Sequence, residues 1–294
     1  MTNIDPADID SLVPSRAFDR RGFVRTSVGS AFAAAVLPVT AQTVIKTDTQ
    51  GLEVGEQTIP AGSFKLPAYV ARPAGKTNLP VVLVVSEIFG VHEHIADVAR
   101  RFAKQGWLAI APEMFVRQGD AGSYGEIGKL IAEVINKVPD AQVMGDLDAC
   151  VTWAQGNGGD TGKLGITGFC WGGRIVWLYA AHQPKLKAGV AWYGRLVGET
   201  NTLQTRHPVE VAEQLKAPVL GLYGGQDQGI PLDSVERMKS MLAKGSDAAR
   251  KSSFHVYPDA PHGFHADYRP TWRKDAAEDG WRRCLAWFKD NGAA

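Results

Sequence analysis

Residues 165–183 read GITGFCWGGRIVWLYAAHQ. The run KLGITGF, from Lys163, is short and apolar enough for a buried strand, and RIVWLYAA, from Arg174, has the apolar spacing of a packed helix. Cys170 therefore stands on the bend, with Gly168 before it and Gly172 and Gly173 after it. A residue that leaves a strand, exposes its side chain and starts a helix in one step needs a strained backbone. Flanking glycines remove the Cβ atoms that would collide there. The amides of the new helix face the sulfur and favour negative charge on it, and Trp171 N–H becomes one donor to an oxyanion. Alone, G-x-C-x-G also suits plain packing, so its meaning turns on what the rest of the chain supplies.

Outward from that bend the chain alternates apolar strands with amphipathic helices. LEVGEQTI and SFKLPAYVARP predict a leading strand pair, and PVVLVVSEI is a continuous apolar run of the kind buried on both faces of a parallel sheet. The helix EHIADVARRFAKQG, the strand WLAIAPEM and two helical stretches between Tyr124 and Gln155 lead to the bend. After it come the strand KAGVAWYG, a loop from Arg195 to Lys216, the strand APVLGLYGG, a helix near Pro231 to Ala243, the strand SSFHVYPD and a helix around Asp275 to Asp290. This alternation predicts an α/β fold, a mostly parallel central sheet with helices on both faces. Active sites in such sheets lie at the carboxyl ends of the strands.

Those ends carry the other candidates. Asp227 follows APVLGLYGG, 57 residues after Cys170, and His262 follows SSFHVYPD, 35 residues further on. Nucleophile, acid and histidine, each just past a strand, is the chain order of the α/β-hydrolase fold. In this reading His262 takes the thiol proton, and Asp227 holds its tautomer and offsets the imidazolium charge. Each also has a plainer reading: Asp227 as a turn former in GGQDQG, His262 as a solvated loop residue, with His265 as its rival. The second oxyanion donor is expected from the loop after PVVLVVSEI, at Ile88 N–H. Glu87, at the end of an apolar strand, needs a partner in the site to offset its burial, and is read as a second acid beside the thiol. His92 and His94, two apart, do not share a helix face. They are read as a helix N-terminus, and no metal or cofactor is assigned.

The whole chain bounds the partner. Its 294 residues are 45% hydrophobic and 21% charged, with a formal net charge of +1. That is globular composition without the electrostatic footprint of a nucleic-acid or anionic-membrane binder, which leaves a small molecule. Residues 1–41 stand apart from the domain at 42–294. Arg20 and Arg21, then Phe23, precede the mild apolar stretch TSVGSAFAAAVLPV and the small residues before Gln42. This resembles a twin-arginine export signal cut after Ala41, with a run too short for a comfortable membrane span. The expected location is periplasmic or secreted, with no stable membrane insertion after signal removal. Of the three cysteines, Cys150 and Cys284 lie in helical patterns as small apolar residues, and a disulfide between them stays open.

SEIFGVHEHIADVARRFAKQGWLAIAPEMF, GITGFCWGG, GGQD and PHGF, in that order, resemble the dienelactone hydrolase or carboxymethylenebutenolidase family from about Leu52 to the C-terminus. The resemblance implies an α/β-hydrolase fold and cofactor-free hydrolysis of an ester or lactone. Cys170 would be the nucleophile, His262 the base, Asp227 the orienting acid, and Ile88 and Trp171 the oxyanion positions. Glu87 matches the glutamate thought to hold the resting thiol and to move when substrate binds. The sequence departs from the family at the substrate's carboxylate. One arginine position reads Ala266, and GEIGKLIAEV offers only Lys129. Arg117 and Arg269 remain as anion partners or as structural residues. A serine esterase in simple form is excluded, because Ser86 lacks flanking glycines. The alternative from another class is a catalytically silent exported binding protein of the same fold.

Overall fold

A computed structural model describes residues 45–294, and the export-signal reading at 1–41 lies outside them. The strands are β1 (Leu52–Ala61), β2 (Phe64–Pro73), β3 (Leu79–Val85), β4 (Leu108–Pro112), β5 (Gly159–Phe169), β6 (Leu186–Trp192), β7 (Val219–Gly224) and β8 (Ser253–Tyr257). They form one sheet in the order β1-β2-β4-β3-β5-β6-β7-β8. The β1–β2 and β2–β4 pairs are antiparallel, and every other pair is parallel. Hence the sheet is mostly parallel, as the alternating pattern predicts. Residues 81–85 of β3 are fully buried, as a strand covered on both faces requires.

The helices are α1 (Glu93–Lys104), α2 (Ile127–Glu133), α3 (Asp140–Gly156), α4 (Trp171–His182), the short α5 (Pro208–Val211), α6 (Leu232–Leu242), α7 (Asp247–Lys251) and α8 (Lys274–Asp290). On one face α1 packs on α8, with the rings of Phe102 and Trp281 4.6 Å apart. On the other, α3 and α4 are tied by the two-pronged Arg174–Asp140 ion pair and by Tyr179 donating to Asp148. The loop between β6 and β7 is pinned to the same place, since Arg174 also donates to the Arg206 carbonyl at 2.7 Å. Cys150 and Cys284 are both free and fully buried, so the pairing left open by the sequence is not formed. Among the described residues no helix is long and apolar enough to cross a membrane.

Register aligns the carboxyl ends of the central strands. Val85 pairs with Gly168, Phe169 with Trp192, Trp192 with Leu222, and Gly224 with Tyr257. Everything that follows those residues is therefore delivered to one rim of the sheet.

Candidate active site

Cys170 sits between β5 and α4 at φ 55°, ψ −113°, a backbone that a non-glycine residue adopts only under constraint. The constraint is visible in the packing. A Cβ on Gly172 would lie 2.3 Å from the Val85 carbonyl oxygen, and one on Gly168 would lie 2.3 Å from that of Gly172. The first turn of α4 thus lies directly against the end of β3, and the loop carrying Glu87 and Ile88 abuts the thiol-bearing bend. Trp171, as the first residue of α4, has no carbonyl one turn back within the helix to pair its N–H. Ile88 is buried in the turn after β3.

The turns after β7 and β8 are joined through Gly225 N–H to the Tyr257 carbonyl and Gln226 N–H to the Ala260 carbonyl, at 2.8 and 3.0 Å. Those bonds place Asp227 under His262, and Nδ1 of the imidazole meets Oδ2 of Asp227 at 2.7 Å. Nδ1 is occupied, so Nε2 is the nitrogen left for Cys170, whose sulfur acts electrostatically on the ring. Burial works against a charged imidazole here. Asp227 and the Cys170 sulfur outweigh it and hold the pKa of His262 well above the ordinary histidine value. The structure therefore brings together Cys170, His262 and Asp227.

The rival His265 is excluded by its surroundings. It is buried, stacked on Phe169 with ring centroids 4.9 Å apart and set against Trp192 at 4.4 Å. Burial, with the charges of His94 and Arg101, pushes its pKa well below the ordinary value. The native pKa then lies below that of the unfolded chain, about 6.5, so unfolding takes up a proton in the acid range. The stability this histidine contributes is complete above that value and falls away as the pH drops below it. Comparison with His265→Phe isolates this one group, because His262, whose raised pKa acts in the opposite sense, is common to both proteins. The loss of unfolding free energy between pH 7 and pH 5.5, measured by urea denaturation, should be smaller in the variant by about 1 kcal/mol. Equal losses in the two proteins would contradict this.

Glu87 is 1% exposed and fully engaged. Its Oε2 accepts from Tyr268 OH at 2.7 Å, lies 3.3 Å from His92 Nε2, and pairs with Arg269 Nη2 at 3.7 Å. Burial alone would raise its pKa. Arg269, then the His92 hydrogen bond and charge, override that and keep the carboxyl ionised, well below the usual carboxylate range. Arg269 also donates to Tyr268 and lies over the Phe89 ring, with 5.1 Å from Cζ to the centroid. Arg117, the other arginine singled out, forks onto Asp146 and stacks on Phe64, which makes it structural. Ala266 is buried, and Lys129 pairs with Glu126 at the surface. His92 stands at the start of α1, as expected, with Nε2 toward Glu87 and not on the helix amides, and His94 turns Nδ1 to Asp267 at 2.9 Å, so both histidines serve carboxylates.

Three contributors escaped the sequence reading as parts of the site: His92, Tyr268 and Tyr193. Tyr193 is the residue after β6, beside Cys170 in register, and it too has a positive φ, 38°. Its ring meets His262 edge-on at 5.1 Å, and its buried hydroxyl has no hydrogen-bond partner among the described residues. Glu87, Tyr268, Arg269 and Cys170 all act electrostatically on that hydroxyl, so the carboxylate and the sulfur share one buried neighbourhood. The signal for Tyr193 was present, since it ends the strand KAGVAWYG. Tyr268 lies in a loop with no pattern to mark it.

Comparison with known proteins identifies relatives over most of the chain. Residues 66–292 match the model of the dienelactone hydrolase family. A protein of Methylorubrum extorquens named a carboxymethylenebutenolidase is 55% identical over 295 residues, covering all of both chains. One so named from Escherichia coli K12 is 52% identical over 268 residues, 91% of this chain and 97% of the relative. A crystal structure titled as a dienelactone hydrolase from Klebsiella pneumoniae superposes with a TM-score of 0.79 at 54% identity, covering 81% of this chain and 98% of that one. On fold and relatedness over nearly its whole length, the chain belongs to the dienelactone hydrolase family, and it is a hydrolase.

Proposed function

We propose that this hydrolase cleaves a small carboxylic ester or lactone through a Cys170–His262–Asp227 triad and a thioester intermediate. The observation that supports it is the 2.7 Å contact between His262 and Asp227, with the Cys170 sulfur acting electrostatically on the same imidazole from the strained bend where α4 begins. With the proton on His262, the sulfur attacks the carbonyl carbon as a thiolate. The oxygen gains negative charge opposite the amides of Ile88 and Trp171, where preorganised donors lower the barrier most. Collapse breaks the acyl C–O bond, and the departing alkoxide takes the proton from His262 Nε2. Water then gives a proton to the neutral ring as it attacks the thioester, the C–S bond breaks, and the thiolate returns beside the imidazolium. Asp227 keeps Nδ1 protonated throughout and stays ionised. In this scheme Glu87, held by Arg269, Tyr268 and His92, modulates the thiol from the side.

The test is turnover. Purified protein offered short aryl esters and unsaturated lactones, with and without a carboxylate, should hydrolyse members of the set. Binding without hydrolysis of any of them would instead favour a silent binding protein.

A further inference from the structure

Residues 45–50 run along the outer side of α1 and reach the loop that carries His262, Tyr268 and Arg269. The family model begins at residue 66, so this segment precedes it. Its contacts are polar and specific. Ile45 N–H donates to Asp267 Oδ2 at 3.2 Å. The Thr47 N–H and hydroxyl donate to the two oxygens of Asp97 at 2.5 and 3.2 Å, and the Thr47 carbonyl accepts from Arg100 Nε at 3.1 Å. Lys104 closes the far end on Asp48 and on the Gln50 carbonyl. Both acceptor carboxylates, Asp97 and Asp267, are 1% exposed. An extended, largely exposed stretch of chain therefore supplies backbone donors to two buried charges, where each charge-assisted bond counts for more than one at the surface.

Those two charges belong to the two elements that grip Glu87. Asp97 is on α1, and His92, immediately before that helix, contacts Glu87. Asp267 immediately precedes Tyr268 and Arg269, which supply the other two contacts. Arg101 bridges the pair at 2.6 and 2.8 Å, and His94 adds a bond to Asp267 at 2.9 Å. Ile45 and Thr47 complete the bridge from outside, one donor to each element.

We propose that residues 45–48 are a positioning strap. Their backbone donors, bound to Asp97 and Asp267, set the spacing of α1 against the 263–272 loop, and so fix the three groups that hold Glu87 beside the reacting thiol. For its effect on turnover this rests on the triad reading above, but the strap also has a readout independent of turnover. Proline at 45 and 47 removes both N–H donors, and at 47 the hydroxyl as well.

The full chain carrying Ile45→Pro with Thr47→Pro should show kcat for a short aryl ester lower by about fivefold or more, with KM within about twofold. Amide hydrogen exchange across residues 86–92 and 264–269 should be faster by about tenfold. Thr47→Ser, which keeps both donors, should restore the wild-type values at that position. If the double variant unfolds, Thr47→Pro alone is judged on the same readouts. Faster exchange confined to residues 45–52, with kcat and the exchange of 86–92 unchanged, would overturn the strap. Absence of turnover in the wild type would sink the hydrolytic reading and leave the exchange pattern to decide the strap.

Discussion

Cys170→Ala should lower kcat/KM for a short aryl ester by about four orders of magnitude or more while leaving the melting temperature close to wild type. The asymmetry follows from where the sulfur stands. The strained backbone at φ 55° is imposed by the glycine contacts on either side, and alanine occupies it with the same Cβ, so packing is retained. In the proposed mechanism, what disappears is the atom that forms the covalent bond. His262, Asp227 and the amides of Ile88 and Trp171 remain, and can give only the residual acceleration that an oxyanion site and binding provide. A variant retaining more than about a tenth of wild-type kcat/KM would mean that another group attacks the substrate.

Gly172→Ala should be a severely damaging single methyl. Its Cβ would sit 2.3 Å from the carbonyl oxygen of Val85 and 2.7 Å from that of Ser86, both backbone atoms at the end of a fully buried strand. No rotamer change relieves that contact, so α4 must move off β3. The stability loss should be about 3 kcal/mol or more, roughly 10 °C in melting temperature for a domain of this size. Catalysis should fail as well, because α4 carries Trp171 and orients Cys170. Gly145→Ala makes the contrast. It lies in the exposed interior of α3 with open space around its Cβ, and there alanine should stabilise by up to about 1 kcal/mol. Similar melting temperatures for Gly172→Ala and wild type would show that the elbow is not as tightly built as its contacts indicate.

Much of the fold and of the candidate site was legible because the candidate residues sit where patterns are strongest. Cys170, Asp227 and His262 each follow an apolar strand, and strand ends in a parallel sheet converge by topology. Where reading fell short, the cause was tertiary. The strand read from Lys163 begins earlier, since β5 also takes in GDTG. Gly159 is there because a Cβ would come within 2.7 Å of a Val81 methyl and 2.9 Å of the Ala154 carbonyl, a demand of packing and not of bending. The one-turn helix α7, Asp247–Lys251, is too short to leave a periodic signature. Glu87 could be flagged from its place at the end of an apolar strand. Its partners Tyr268 and His92 could not, and Arg269 could be read only as a partner for some anion, since they come from a loop and a helix start brought together only by folding. Asp267 and Thr47 are further removed still, 220 residues apart in the chain and one hydrogen-bonded neighbourhood in space.

The most direct test of the central claim is the intact mass of the protein quenched during turnover of an activated acetyl ester, followed by mapping of the modified peptide. One transient acetyl group is expected on Cys170, absent from Cys170→Ala and longer-lived in His262→Ala if that variant still acylates. Acetyl found on another residue, or steady hydrolysis by the wild type that persists undiminished in Cys170→Ala, would contradict it.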